Sequence, residues 1–325
     1  MRRRVFTLIT GLLVTFCLCQ GAPQKRSRAP RKQLLDATSV NDSQWKGANG
    51  PAVLHAQILL ARAHFSPGEI DGQMGDNFRR ALNAFQEQRS LSVTGVLDEP
   101  TWTALNTDSA PVLVSYVITE QDAAGPFVTM PKEMAEQATL SSLGYESVEE
   151  GLAEKFHIGP VLLKKLNSKA ELTAGQEILV PDTGTVVQAK VTKIVVKRSG
   201  TVTAFDAKGT AVAHYPCSSG SEHDPLPVGT WKVTTVVTDP PFFYNPKLFW
   251  DAKPDDTKAK IAAGPNNPVG VAWIDLSKPH YGIHGTPAPA GVGHSQSHGC
   301  IRLTNWDVRE LAGLVGKGTV VICQE

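Results

Sequence analysis

The segment from 281 to 305 holds the residue types that nucleophilic catalysis uses. Three histidines and one cysteine, namely His284, His294, His298 and Cys300, lie within it. A thiol needs a neighbouring base or positive charge to become a thiolate near neutral pH. His284 precedes Cys300 by 16 residues, so a loop can fold back and place the imidazole beside the sulfur. The spacing therefore predicts a cysteine nucleophile, Cys300, with His284 as its general base.

The residues around Cys300 suit a reaction that develops negative charge on a carbonyl oxygen. Gly299 lets the backbone turn tightly, so the N–H groups of His298, Gly299 and Cys300 can form an oxyanion hole, a device worth a few kcal/mol in the transition state. Arg302 carries the planar guanidinium that binds carboxylates in a bidentate manner. A structural ion pair is the alternative for this arginine.

The same segment also contains side chains that bind zinc. The prolines and glycines around His280 and His284 exclude a helix. In a strand, residues four apart are separated by about 13 Å, at roughly 3.3 Å per residue. These two histidines could not bind one ion, so we predict no metal site and no cofactor.

The bulk composition narrows the class of protein. The chain has 325 residues, of which 41% are hydrophobic and 19% charged, which is typical of a globular protein of two or three domains. Its formal net charge of +1 gives no reason to expect nucleic acid as a partner.

The amino terminus has the pattern of a secretory signal. Arginines at positions 2–4 precede the apolar run 5–18, and the small residues Gly21 and Ala22 follow. The run is shorter than the roughly 20 residues needed to span a bilayer. We predict a signal peptide over 1–21, export to the periplasm or cell wall, and no membrane span after cleavage. A retained anchor is the alternative.

Cysteine usage is compatible with export. Cys17 and Cys19 fall in the predicted signal, so Cys217, Cys300 and Cys323 would remain. Three cysteines are too few for a disulfide framework. A bond between Cys217 and Cys323 would leave Cys300 free for chemistry, and two buried thiols are the alternative.

Composition and periodicity divide the rest of the chain into four segments. Residues 22–48 are polar and basic, which predicts a flexible tether. Residues 49–107 form a helical unit, because apolar residues recur there at helical spacing: Leu54, Ile58, Ala61, Phe65, and then Phe78, Ala81, Leu82, Phe85. Asp98 is the expected N-cap of a third helix.

A second small unit is predicted over 114–182. It contains a first strand over 116–119, two short helices and a last strand over 177–181. Residues 187–325 consist mainly of short β-branched runs bounded by turn residues, which predicts a mostly antiparallel sandwich or barrel.

The C-terminal segment closely resembles the catalytic domain of L,D-transpeptidases, the YkuD family. The family motif is a histidine, a loop, and Ser/Thr-His-Gly-Cys, followed by an apolar residue, an arginine or similar residue, and often an asparagine. The matching residues are His284, Ser297, His298, Gly299, Cys300, Ile301, Arg302 and Asn305. Upstream turns also match, at 227–230 and at Gly264, Pro265, Asn267, Pro268 and Gly270.

The two upstream units also resemble known modules. Residues 49–107 are similar to peptidoglycan-binding domain 1, through Gln57, Leu60, Asp71, Gly72, Gly75, Ala81, Phe85, Gln86, Leu91, Thr94, Gly95, Asp98, Thr101 and Trp102. One departure is Asn77, since the family usually has a threonine at the start of this helix. Residues 114–182 resemble a LysM carbohydrate-binding module through Asn167, Gly175, Gln176 and Pro181. Packing modules without a ligand are the alternative for both.

The catalytic resemblance implies a reaction on peptidoglycan. Cys300 would attack the third residue of a tetrapeptide stem, release D-Ala and form a thioester, which a stem amine would convert into a 3→3 cross-link. The implied catalytic set is Cys300, His284, His298 and Gly299, with the Gly285 carbonyl orienting His284.

The implied substrate-binding residues are Arg302, Ser297, Gly285 and Asn305, with Ser297 also expected to be positional. Stem peptides and glycan are the expected partners. Two alternatives stay open: an L,D-carboxypeptidase that passes the thioester to water, and a non-catalytic wall-binding protein. A papain-like protease is excluded, because its cysteine precedes its histidine.

Overall fold

The computed structural model describes residues 35–45, 50–107 and 109–325. The predicted signal peptide and most of the predicted tether lie outside these ranges. Within them, no helix combines the length and apolar character that crossing a membrane requires.

Helices dominate the first half of the described chain and strands the second. The helices are α1 (Ala37–Asn41), α2 (Pro51–Arg62), α3 (Asp76–Gln88), α4 (Glu99–Leu105), α5 (Glu120–Ala123), α6 (Met134–Gln137), α7 (Val148–Lys155), α8 (Pro160–Leu166) and α9 (Asn305–Leu314). The strands are β1 (Leu113–Val117), β2 (Glu177–Pro181), β3 (Lys193–Lys197), β4 (Thr201–Phe205), β5 (Ala211–Pro216), β6 (Ser218–Ser219), β7 (Gly229–Thr238), β8 (Phe242–Tyr244), β9 (Ala259–Ile261), β10 (Ala272–Leu276), β11 (Gly282–His284), β12 (Ile301–Arg302) and β13 (Val320–Gln324).

The helical unit folds as its apolar pattern predicts, with one exception. The side chains of Leu54 and Phe85 are buried, and the Asp98 carboxylate caps α4 by accepting from the Thr101 N–H at 3.0 Å. Phe65 does not continue α2, because the helix ends at Arg62 and His64 adopts a left-handed φ of 65°. Phe65 instead packs edge-on against Phe85.

The predicted tether is wrong for residues 35–45, which are ordered against the helical unit. Val40 is fully buried. The Asn41 amide donates to the Leu113 carbonyl at 3.0 Å and accepts from the Leu113 N–H at 2.9 Å. Apolar burial and these side-chain contacts fix a short segment that its polar composition alone would leave flexible.

The middle unit has the order strand, helices, strand. The antiparallel pair β1–β2 flanks α7 and α8, and β1 begins three residues earlier than predicted, at Leu113. Its buried side chains join those of the helical unit in one apolar core, to which Leu54, Phe85, Leu152 and Ile178 belong. The two upstream units therefore pack together.

The C-terminal region forms a nine-stranded sheet with the order β5-β4-β3-β13-β7-β10-β11-β12-β6. Six of its eight neighbouring strand pairs are antiparallel, and β3–β13 and β11–β12 are parallel, so the predicted mostly antiparallel β domain is confirmed. Helix α9 packs its buried face, including Val308 and Leu311, into the core of this region. The parallel pairing places His284, the last residue of β11, opposite Arg302, the last residue of β12.

Candidate active site

Strand pairing brings the predicted base and nucleophile into the same part of the sheet. Strands β11 and β12 are parallel, with His284 opposite Arg302. Cys300 lies two residues before Arg302, and alternate residues of an extended segment point to the same side. Diagonal neighbours in a sheet have Cα atoms roughly 7–8 Å apart, within reach of long and aromatic side chains. The loop between His284 and Cys300 therefore folds back as the spacing predicts.

The His284 imidazole is held in one tautomer. Its Nδ1 lies 2.7 Å from the Gly285 carbonyl oxygen. Because a carbonyl only accepts, Nδ1 carries the proton and Nε2 keeps its lone pair. The Trp273 ring stacks on the imidazole at 5.5 Å. Burial, followed by the charge of Arg302, lowers the pKa of His284 to about 4, so the imidazole is neutral near pH 7 and its Nε2 is free of a proton.

The Cys300 thiol is half-buried and protonated in the resting site. Its sulfur lies 3.6 Å from the His280 carbonyl oxygen, to which the thiol donates. Burial raises the pKa of Cys300 to about 11, against the opposing effects of the Gly282 N–H and the Arg302 charge. A neutral thiol and a neutral imidazole are the starting pair for general-base activation, as opposed to a preformed thiolate–imidazolium pair.

The turn before Cys300 is fixed by Ser297 and Gly299. The Ser297 hydroxyl donates to the Cys300 carbonyl at 2.6 Å and accepts from the Gly220 N–H at 2.7 Å. Gly299 adopts a φ of +92°, and a Cβ there would lie 2.8 Å from Tyr281 Cε1. Only glycine satisfies both the left-handed backbone and the close ring.

Three residues placed in the substrate-binding set by sequence have inward-facing contacts instead. Ser297 and Asn305 are buried. The Asn305 carbonyl oxygen accepts from the N–H groups of Val271 at 3.2 Å and Thr286 at 3.1 Å. Gly285 packs against Asn305, so that a Cβ there would lie 2.2 Å from its Oδ1. The packing and polar contacts of these residues fix the backbone around His284 and Cys300, and their assignment to substrate binding stays a prediction.

His298 belongs to a different set of contacts. Its Nε2 lies 2.9 Å from Asp251 Oδ1, and its ring packs against Phe249 at 5.0 Å and Trp250 at 5.7 Å. The imidazole is thus tied to the loop between β8 and β9. With its Nε2 engaged by a carboxylate, His298 is less suited than His284 to take the Cys300 proton.

Arg302 stands next to the reacting groups. Its charge acts on the pKa of both Cys300 and His284. Among residues 35–45, 50–107 and 109–325, none provides it with an ion-pair or hydrogen-bond partner. The structural ion pair considered from the sequence is therefore not found in the described chain.

The other cysteines do not form the proposed bond. Cys217 and Cys323 are free, buried thiols, so the alternative of two buried thiols applies. Within the ranges that the structure describes, no group of three or more His, Cys, Asp or Glu side chains is arranged to hold a metal ion.

Several site residues could not be found from the sequence. Gly282 packs so closely on Trp273 that a Cβ would lie 2.4 Å from its ring. Trp273 in turn donates its indole N–H to Asp275 at 3.2 Å. The alternating pattern of β10 predicts a strand that contains Trp273. It does not show that the Trp273 ring packs on Gly282 of the neighbouring strand β11.

Comparisons with known proteins agree with this site. The family model described as the L,D-transpeptidase catalytic domain (YkuD) matches residues 191–323, and that of the putative peptidoglycan binding domain matches residues 49–105. The chain is 31% identical over 175 residues to the putative L,D-transpeptidase YkuD of Bacillus subtilis (strain 168), covering 52% of this chain and 89% of the relative. The chain belongs to the L,D-transpeptidase family and carries a peptidoglycan-binding domain.

Other relatives match over shorter shares of their length. The probable L,D-transpeptidase YbiS of Escherichia coli (strain K12) is 31% identical over 156 residues, which cover 46% of this chain and about half, 48%, of the relative. Among solved structures, L,D-transpeptidase 3 of Mycobacterium tuberculosis, in complex with a faropenem-derived adduct, is 19% identical with a TM-score of 0.35. That match covers 48% of this chain and 76% of that chain.

Proposed function

We propose that this protein is an exported peptidoglycan L,D-transpeptidase that forms 3→3 cross-links through a thioester on Cys300. The observation that carries the proposal is the pairing of β11 with β12. It pairs His284, which is buried, neutral and held in one tautomer, with Arg302, two residues after Cys300, in a chain of this family. The match to a peptidoglycan-binding domain supports peptidoglycan as the substrate.

Acylation begins with proton transfer from the Cys300 thiol to His284 Nε2. The sulfur attacks the carbonyl carbon of the third stem residue, and the oxyanion is met by the N–H groups of the 298–300 turn. As the C–N bond to D-Ala breaks, His284 returns the proton to the leaving nitrogen. A thioester and free D-Ala result.

Deacylation runs through the same groups in reverse. His284 Nε2 takes a proton from the amine of a second stem while its nitrogen attacks the thioester carbonyl. The C–S bond breaks, the sulfur recovers the proton, and an amide joins the two stems. Atoms balance without a cofactor, and proton transfer by a positioned histidine typically contributes 10²–10⁴-fold to such a step.

Arg302 is the residue that we assign to substrate recognition. The D-Ala leaving group ends in a carboxylate, and the guanidinium beside Cys300 can bind it in a bidentate manner. A stem peptide held by its terminal carboxylate presents the preceding amide bond to the Cys300 sulfur. The enzyme would therefore prefer a stem that ends one residue beyond the scissile bond.

The upstream units would hold the enzyme on its polymer. In the middle unit a cavity of about 510 Å³ is lined by Phe127, Val148, Leu163, Asn167 and Leu172. Its mixture of apolar faces and polar rim suits a sugar chain. We propose that this cavity binds glycan, as the LysM resemblance implies.

An L,D-carboxypeptidase would form the same thioester and pass it to water. Intact mass spectrometry with a tetrapeptide muropeptide donor tests the shared step: wild type is expected to gain the mass of an acyl group, and Cys300→Ala is expected to gain nothing. An adduct that persists in Cys300→Ala would refute the mechanism. Adding an acceptor stem then separates the two enzymes, because a 3→3 dimer is the expected product and a tripeptide monomer alone would indicate the carboxypeptidase.

A further inference from the structure

Helix α3 of the peptidoglycan-binding domain touches the loop that joins His284 to Cys300. The Asn77 amide Nδ2 donates to the Val292 carbonyl at 2.8 Å. The Arg80 guanidinium donates to the Gly293 carbonyl at 3.2 Å. These contacts cross more than 200 residues of sequence and connect a binding module to the catalytic loop.

The two side chains act on the loop as one group. The Asn77 carbonyl oxygen accepts from Arg80 at 2.7 Å, which orients the amide so that its NH₂ faces Val292. Gly293 has a φ of +82°, and a Cβ there would lie 2.2 Å from Asn77 Oδ1. The loop is therefore packed against Asn77 as closely as a glycine allows.

The position of Asn77 in its own helix does not explain the residue. The helix begins at Asp76 with Gly75 as its N-cap, and no side chain caps it. The Asn77 amide is instead used on the catalytic loop, where it donates to the Val292 carbonyl.

The far side of the same loop is held by the β-sheet. Ser218 accepts from the Gly293 N–H at 3.0 Å and donates to the Gly291 carbonyl at 3.3 Å. The loop thus lies between Ser218 of the catalytic domain and the Asn77–Arg80 pair of the binding domain. Losing the Asn77–Arg80 pair removes the hydrogen bonds that hold the Val292 and Gly293 carbonyls.

We infer that Asn77 and Arg80 are positioning residues of the transpeptidation reaction, supplied by the peptidoglycan-binding domain. They act through the 291–293 backbone on the approach of His284 to Cys300, and touch neither the substrate nor the reacting atoms. The binding domain is then part of the catalytic framework as well as a wall anchor. This inference rests on the proposed cysteine mechanism.

The test is the rate of Cys300 acylation in the full chain, measured at saturating tetrapeptide muropeptide donor by mass spectrometry. Asn77→Asp keeps the side-chain shape and the Arg80 contact but turns a donor into an oxygen that faces a carbonyl oxygen. Arg80→Gln removes the contact with Gly293. Each variant is expected to acylate about tenfold more slowly, since a 1 Å misplacement can cost up to about 100-fold. The donor concentration for half-maximal rate should change less than twofold.

Arg79→Gln is the matched control, because Arg79 is exposed on the same helix and pairs with Asp76; its rate should equal that of wild type. The final adduct per protein reports the fraction of folded sites. Rates within twofold of wild type, or a reduced adduct fraction with an unchanged rate per site, would overturn the inference. A wild-type protein that gains no adduct would instead refute the proposed function itself.

Discussion

Gly299→Ala is the substitution that tests the geometry of the nucleophile turn most sharply. Gly299 has a φ of +92°, where a residue with a Cβ costs roughly 1–2 kcal/mol. The added methyl would also lie 2.8 Å from Tyr281 Cε1, whereas carbon atoms pack at about 3.5–4.0 Å. The turn or the ring must therefore move by roughly 1 Å, the difference between those separations.

A displacement of that size should affect chemistry more than folding. Misplacing reacting groups by about 1 Å can reduce a rate 100-fold, and the 298–300 N–H groups would leave the oxyanion position. We expect Gly299→Ala to slow Cys300 acylation by about 100-fold. The free energy of unfolding should fall by only about 1–3 kcal/mol, from strain and overpacking. Stopped acylation time courses and urea denaturation measure the two quantities.

Gly209→Ala separates backbone strain from the contact with Tyr281. Gly209 has a φ of +82° in the β4–β5 turn, and an added Cβ would meet nothing within 4 Å. It should lose a similar 1–2 kcal/mol of stability and keep the wild-type acylation rate. If Gly299→Ala also acylated within threefold of wild type, the turn would not be positioning the reaction and the reasoning would fail.

Two further predictions concern Arg302 and pH. Arg302→Gln should raise the KM of a tetrapeptide donor about 10–100-fold, since hydrogen bonds to charged groups contribute about 1.5–3 kcal/mol. The KM of Arg302→Lys should lie between those of wild type and Arg302→Gln. Equal KM values for all three proteins would contradict carboxylate recognition. Because burial and then Arg302 lower the pKa of His284 to about 4, wild-type acylation should stay constant from pH 7 to 5 and fall below that, whereas in Arg302→Gln the fall should begin at higher pH. The depressed pKa also means that the unfolded state binds the proton more readily, so the contribution of His284 to stability is present above pH 6.5 and is lost as the pH falls towards 4. An acid limb that does not move in Arg302→Gln would show that another group controls it.

The sequence predicts best those parts of the site that are close in the chain. His284 bonds its own neighbour Gly285, and Cys300 follows His284 by only 16 positions, so both could be anticipated from spacing. The helix faces of α3 and α4 followed from apolar periodicity, because burial against one core requires it. Cap chemistry likewise placed Asp98 at the start of α4.

What could not be predicted depends on partners that are distant in sequence. Ser297 contacts Gly220, 77 residues away, and Asn305 contacts Glu154, 151 residues away. Polar residues beside a nucleophile were assigned to the substrate because nothing local indicated that the fold would bury them. The partner of His298, Asp251, lies 47 residues away on another loop. Asn77 looked like a weakened cap until the fold brought Val292 to it.

The central claim is that His284 makes Cys300 nucleophilic. Its most direct measurement compares the acylation rate of wild type with that of His284→Ala, with His298→Ala beside it as the second imidazole of the motif. The account predicts a loss of about 10²–10⁴-fold for His284→Ala and a clearly smaller loss for His298→Ala. A His284→Ala protein that acylates within a few-fold of wild type, or a larger loss in His298→Ala, would contradict it.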